Sequence, residues 1–411
     1  MNFEFFIAKR IIGSKSYKSS ISAPIIKIGI AAIAIGLIVM LIAVATGIGL
    51  QQKIRDKAVA FNGHITITNF DTNLSDESQI PISIDQDFYP EFNSVGGIAH
   101  IQAIASKFGV IRTTEDFDGG ILKGVGWDYN WEFFEEFLIE GELPKYGESM
   151  NNDVLVSKYL TNRLSLEVGS SFEMLFAKED PNKTPFQRKF TVVGIFNSGF
   201  QELDEKYLLG DIRHVQRLNR WQSDEVGHFE VFIEDYNKIQ EKGVEVHQAI
   251  HTSLRAETVR DKYYTIFEWL DIFDQNIYMI IGIMILVAGI NMITALLVLI
   301  LERTQMIGIL KSLGSSNWTI RKVFVYNASY LILLGLFWGN LIGIGVLLTQ
   351  KYFKFIPLDP SVYHVTEVAV LINWGHVFLL NLGTFILCFL MLMIPSYVIT
   401  KITPVKAMRF E

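Results

Sequence analysis

The sequence predicts a helical membrane protein with four transmembrane helices and a large mixed α+β extracytoplasmic domain inserted between the first and the second. Three observations predict it. Four apolar runs, 25–50, 277–301, 325–348 and 377–399, are each long enough to cross about 30 Å of hydrocarbon at about 1.5 Å per residue. Half of the 411 residues are hydrophobic while 19% are charged, too many for a chain wholly in lipid, so the two kinds are segregated along it. The charges also differ in sign: residues 51–276 carry 22 Lys and Arg against 38 Asp and Glu, the remainder 14 against 5. By the positive-inside rule both termini and the loop 302–324 are cytoplasmic, and 51–276 lies outside.

Residues 1–24 place Phe3, Phe6, Ile7 and Ile11 at helical spacing beside Lys9, Arg10, Lys15 and Lys18. This reads as an amphipathic helix on the cytoplasmic leaflet, or as a plain basic flank that sets topology. The first span has two contrasting faces. Gly29, Ala32 and Gly36 permit close helix approach; Ile33, Leu37, Met40, Leu41 and Val44 form a smooth apolar stripe. No A-x-A site follows the run, so it is expected to stay as an anchor. Lys53, Arg55, Asp56 and Lys57 carry the helix into water until Gly63 stops it, and His64 opens an alternating strand as a structural residue.

The external segment reads as α/β. Strands are expected at 98–104 and 110–112 around a turn, and at 119–125, 171–176, 190–196 and 227–233; an aromatic helix or loop-helix at 127–139, and helices in 154–164 after a short strand and at 236–254. Strands 171–176 and 189–194 pair as a hairpin whose loop, AKEDPNKTPFQR, is long and polar. Glu202 and Asp204 have no His or further carboxylate to make a metal or acid pair with and are assigned to a solvated loop. The one cysteine, Cys388, lies inside the fourth run, which excludes an intrachain disulfide.

The second span holds Asn291 and Thr294 at membrane depth, where each must bond to a neighbour or to the backbone. After it comes ERTQMIGILKSLGSSNWTIRKVF, residues 302–324. Met306, Ile309, Leu310 and Leu313 fall on one helical face and Gln305, Lys311 and Ser312 on the other; Gly314 ends the helix and Ser315 or Ser316 caps the next. On pattern alone this is an interfacial helix in a connecting loop, or a docking surface. The third span carries Gly335, Gly339 and Gly343 one turn apart, a packing stripe. A short loop, 349–376, leads to the fourth span, with Pro395 near its end and the tail 400–411 after it.

Several phrases resemble the FtsX/MacB-type (type VII) ABC transporter permeases: E-R-x-x-x-I-G-I-L-K-S-L-G-S-S with its following aromatic and basic pair, F-T-V-V-G-I-F-N-S-G-F-Q-E-L-D, and the closing T-P-V-K-A-M-R-F-E. I-R-x-K followed by F-N-G-H-I is similar to the lipoprotein-releasing LolC/LolE branch. The resemblance implies a two-part periplasmic domain, porter-like with an inserted part at about 115–225. It makes Glu302, Arg303, Met306, Ile307, Gly308, Ile309, Leu310, Lys311, Leu313 and Gly314 the surface gripped by a separate LolD-like ATPase, where ATP and Mg would bind. This chain has no G-x-x-x-x-G-K-[ST], so it is expected to bind no cofactor and to catalyse nothing itself.

Further implied are a bacterial inner-membrane location, a second permease copy or paralogue, a lipoprotein substrate, surrounding lipids and a LolA-like periplasmic carrier, with no nucleic acid. Pro185, Phe186 and Arg188 would dock the carrier, unless the loop is idle. A chain of about fifteen carbons is stabilised in the membrane by on the order of 12 kcal/mol, so release needs work. The stripe Ile33, Leu37, Met40, Leu41 and Val44 is expected to line the cavity that holds the anchor. Two alternatives share the architecture: a MacB-like mechanotransmitting efflux permease, and an FtsX-like regulator of a periplasmic hydrolase.

Overall fold

In the computed structural model, residues 4, 6–7, 10, 23–72, 75–147, 149–178, 182–363 and 365–402 are described. The amphipathic helix expected over 1–24 and the tail beyond 402 lie outside these, apart from Glu4, Phe6, Ile7, Arg10, Ala23 and Pro24. The chain forms two compact units: Met1–Gln51, Trp269–Pro357 and Glu367–Glu411 make one, Gln52–Glu268 and Leu358–Thr366 the other.

The helices that carry the four apolar runs are α1 (Ala23–Asn62), α3 (Tyr264–Glu302), α5 (Asn317–Phe353) and α6 (Trp374–Ser396). All four are long and apolar enough to cross a membrane. Among the shorter helices are α2 (Ile212–Asn219) in the inserted domain and α4 (Thr304–Ser312) between the second and third spans. The first helix outruns its apolar stretch because nothing interrupts its backbone ladder before Gly63, whose φ of +64° ends it.

Within the helical unit the glycine stripe of α5 lies on the apolar stripe of α1. A Cβ added at Gly335 would sit 2.8 Å from Ile33 Cβ, one at Gly339 3.0 Å from Leu37 Cβ, and one at Gly343 3.0 Å from Leu41 Cδ1. The small face of α1 meets α3, with Gly29 against Ala295 and Gly36 against Met284. This corrects one expectation. Ile33, Leu37, Met40, Leu41 and Val44, assigned to a lipid-anchor cavity, are at most 8% exposed. Groove and ridge are complementary, so the stripe is consumed in packing the bundle. Asn340 and Asn381 then join α5 to α6 through two amide hydrogen bonds, 2.7 and 2.9 Å. Asn291 and Thr294 bond to their own helix, at Val287 O and Ile290 O.

The inserted domain holds β1 (Ile65–Asn69), β2 (Ile98–Arg112), β3 (Phe117–Val125), β4 (Leu138–Gly141), β5 (Asp153–Ser157), β6 (Ser171–Phe176), β7 (Phe186–Phe196), β8 (Tyr207–Asp211), β9 (His228–Ile233) and β10 (Leu254–Thr258). Their order is β10-β1-β9-β2-β3-β8-β5-β7-β4, and β6 bridges β2 and β7. Strands β2, β3, β8, β5, β7 and β6 therefore close into a ring, and β10, β1 and β9 extend the sheet from it. The two halves share β2. Its first half pairs with β9 and its last residues, Val110–Arg112, with β6.

Several expected elements change accordingly. The turn expected between 104 and 110 is absent, because 98–112 is one strand whose pairing partner switches along its length. The helix at 127–139 shrinks to Glu132–Glu135 before strand β4, and that at 236–254 to Ile239–Ala249 before strand β10. Asp204 is buried, not solvated: its carboxylate accepts from Ser198 N, Ser198 Oγ and Gly199 N, holding the turn before the short helix Gln201–Asp204. Burial raises its pKa above the usual carboxylate value, opposed by those hydrogen bonds.

Candidate functional site

The loop between α3 and α5 is built from local rules. Thr304 Oγ1 bonds back to Leu301 O at 2.7 Å as the chain enters α4. At the far end Gly314, with φ +90°, gives its amide to Lys311 O while Ser315 gives its amide to Leu310 O, the double bond of a glycine-ended helix. Ser316 Oγ accepts from Thr319 N and caps α5.

The faces of α4 fall otherwise than expected. Ile307 and Gly308 are buried and Met306 and Leu310 half-buried, whereas Ile309 is 47% and Leu313 77% exposed, beside Gln305 and Ser312. Lys311, expected on the outward polar face, turns inward: its Nζ donates to Ile399 O at 2.7 Å and Ile402 O at 2.6 Å. The reason is its long apolar stem, which crosses the packed face before the ammonium reaches two carbonyls at the end of the last helix. What α4 presents outward is thus a small apolar patch, Ile309 and Leu313. Trp318 lies at the start of the next helix, 54% exposed and stacked by Arg321 and Lys322. Among the described residues no cluster of His, Cys, Asp and Glu is arranged to hold a metal ion.

The β6–β7 hairpin is longer and its loop shorter than the sequence suggests. Pairing starts at Phe176 opposite Phe186, so Phe186 is the first residue of β7 and not an apolar tip. Its ring packs under Lys178 Nζ at 4.5 Å. Arg188 lies opposite Met174 with its Nε buried and unpartnered. Pro185 is exposed just before the strand. Alternating Phe172, Met174 and Phe176 against Phe186 and Phe190 is the signal that extends the ladder, and it was present in the sequence.

One cluster escaped sequence reading. Lys123, on β3, is 2% exposed and donates to Glu230 Oε1 at 2.7 Å and to Phe61 O at 2.5 Å. Gln102 donates to the other Glu230 oxygen at 2.8 Å, and His228 Nε2 lies 3.6 Å from the first. Burial works against the Glu230 carboxylate, but Lys123 and His228 outweigh it and hold its pKa at about 2. The pair ties the last turn of α1 to the middle of the sheet. Phe61 adds a ring cluster with Phe134 and Phe196, at 5.0 and 5.7 Å. His64 is structural: its Nδ1 accepts the Ile233 amide, and burial lowers its pKa to about 4.

The chain has four helices long and apolar enough to cross a membrane, a domain inserted after the first, and a capped apolar helix between the second and third. Residues 278–404 match the family described as FtsX-like permease C-terminal. Over its whole length the chain is 20% identical to the lipoprotein-releasing system transmembrane protein LolC of Xylella fastidiosa, covering 98% of that protein. It is 22% identical to LolC of Neisseria meningitidis serogroup B, with both chains fully covered. The periplasmic region of MacB from Actinobacillus actinomycetemcomitans aligns with 49% of this chain and 91% of its own at 17% identity and a TM-score of 0.32. The resemblance drawn from the sequence motifs agrees with the family match and with the LolC relatives.

Proposed function

We propose that this chain is the permease subunit of an ATP-driven transporter that extracts lipoproteins from the outer leaflet of the bacterial inner membrane and hands them to a periplasmic carrier. The observation that carries the reading is α4: a helix fixed at both ends and anchored on one side, yet showing Ile309 and Leu313 to water. Exposed apolar pairs on a rigid helix are what a partner's groove takes up. The partner is a separate ATPase, which holds ATP and Mg. With the α1 stripe buried, the face left for an acyl chain is that of α3, where Ile283, Val287 and Ile290 are 42–54% exposed. A second permease copy or paralogue closes the cavity over it. Pro185, with Arg188 behind it, is the surface offered to the carrier.

The test is purification of the tagged chain from its native membranes, with mass spectrometry of what accompanies it. The wild type is expected to bring an ABC ATPase and acylated proteins. Leu313→Asp is expected to lose the ATPase while the chain stays folded, because the side chain touches little of its own protein. An ATPase without any acylated protein would overturn the lipoprotein assignment; no ATPase at all would overturn the whole reading.

A further inference from the structure

The fourth span does not end as a regular helix. Pro395 has no amide to give, and the amide of Tyr397, two residues on, goes to Ile394 O and Pro395 O, leaving Met393 O without its usual backbone donor. A separate short helix, α7 (Val398–Lys401), follows the break. Ser396 and Ile399, on either side, are both 0% exposed. Two cations from the loop between the second and third spans occupy this break. Arg321 donates to Ser396 Oγ at 3.0 Å and reaches Met393 O at 3.5 Å, while Ser396 Oγ itself donates to Met393 O at 2.8 Å. Lys311 takes the carbonyls at the other end, Ile399 O and Ile402 O. Both positions suit a positive charge, since the carbonyl end of a helix is its negative pole.

We propose that Lys311 and Arg321 are positioning residues, Lys311 fastening α4 to α7 and Arg321 fastening the start of α5 to the end of α6, so that a displacement of α4 is delivered to the broken end of the fourth span directly as well as through the covalent chain. This rests on the proposed coupling role of α4. It adds that Lys311 is a strut inside the permease and not a contact with the ATPase. The chain connects α4 to α3 and α5 only. Without Lys311, α4 would be held to α7 by the apolar cluster that Ile307 and Ile399 share, which has no directional bond to fix it.

Hydrogen exchange of the full-length permease in lipid nanodiscs, read by mass spectrometry over residues 393–402, tests it in two stages. Without the ATPase, Lys311→Met is expected to raise exchange of the Thr400 and Ile402 amides about tenfold, the loss of a helix-end hydrogen bond, and Lys311→Arg to restore the wild-type rate. Arg321→Met, which loosens the break from its other side, is expected to do the same at Tyr397. Rates unchanged in both Met variants overturn the fastening. With the co-purified ATPase bound, ATP plus vanadate is expected to change exchange over 397–402 in wild type and Lys311→Arg. Lys311→Met is expected to keep the ATPase and its KM for ATP but to lose that change. A change that persists in Lys311→Met overturns the delivery. If wild-type permease binds no ATPase, the coupling role and the delivery fall together, while the first stage still decides the fastening.

Discussion

Replacing Lys123 with Met should be among the most damaging single changes in the inserted domain. The ammonium lies 2.7 Å from Glu230 Oε1, both side chains are 2% exposed, and it also satisfies Phe61 O in the last turn of α1. Methionine fills the space of the stem but leaves a buried carboxylate facing only Gln102 and His228. Removing one partner of a buried pair costs about 3–5 kcal/mol. For a domain of roughly 200 residues, that is a fall of roughly 10 °C in the unfolding midpoint. The assay is proteolysis of the full chain in detergent against temperature, scored on fragments of the inserted domain. Two controls separate charge from packing. Lys123→Met combined with Glu230→Gln should recover most of the loss, because an uncharged pair no longer needs compensation. Lowering the pH should partly rescue Lys123→Met alone, as His228, 3.6 Å from Glu230, takes up a proton and replaces the missing cation. A midpoint within 2 °C of wild type for the single variant, with no response to pH, would refute the reasoning.

Other outcomes follow from the same geometry. His64 has its pKa lowered to about 4 by burial, against about 6.5 unfolded, so the unfolded chain binds the extra proton first. Its stabilising share is therefore complete above pH 6.5 and is lost as the pH falls to 4, about 3 kcal/mol in all. His64→Asn, which keeps an acceptor for Ile233 N, should flatten that part of the pH profile measured by the same proteolysis. Gly335→Val should lower the thermal midpoint of the detergent-solubilised chain by an amount worth about 1–3 kcal/mol, since its Cβ would lie 2.8 Å from both Cβ and Cγ2 of Ile33, and Ile33→Ala, which removes Cγ2, should restore part of it. Asn381→Leu strands Asn340 and should cost about 1 kcal/mol in the same measurement, whereas Leu at both positions should be nearly neutral.

The sequence by itself determined the number of spans, the place of the inserted domain and the helix between the second and third spans. Each is a matter of run length, charge sign or capping residues, which act over a few positions: Gly63 and Gly314 stop helices because only glycine takes those backbone angles cheaply. Which face of each helix is inside was decided by tertiary structure. Ile33, Leu37 and Leu41 looked like a surface for lipid until the glycines of α5 were laid against them. Lys311 looked solvent-facing until the carbonyls of Ile399 and Ile402, 88 and 91 residues away, came within reach. Asp204 and Lys123 are charged residues in short polar or apolar stretches, and nothing local says that their partners, Ser198 in one case and Glu230 in the other, are waiting in the core. An amphipathic pattern records that a face is apolar, not what covers it; burial of a charge depends on a counter-group that the fold brings from far along the chain.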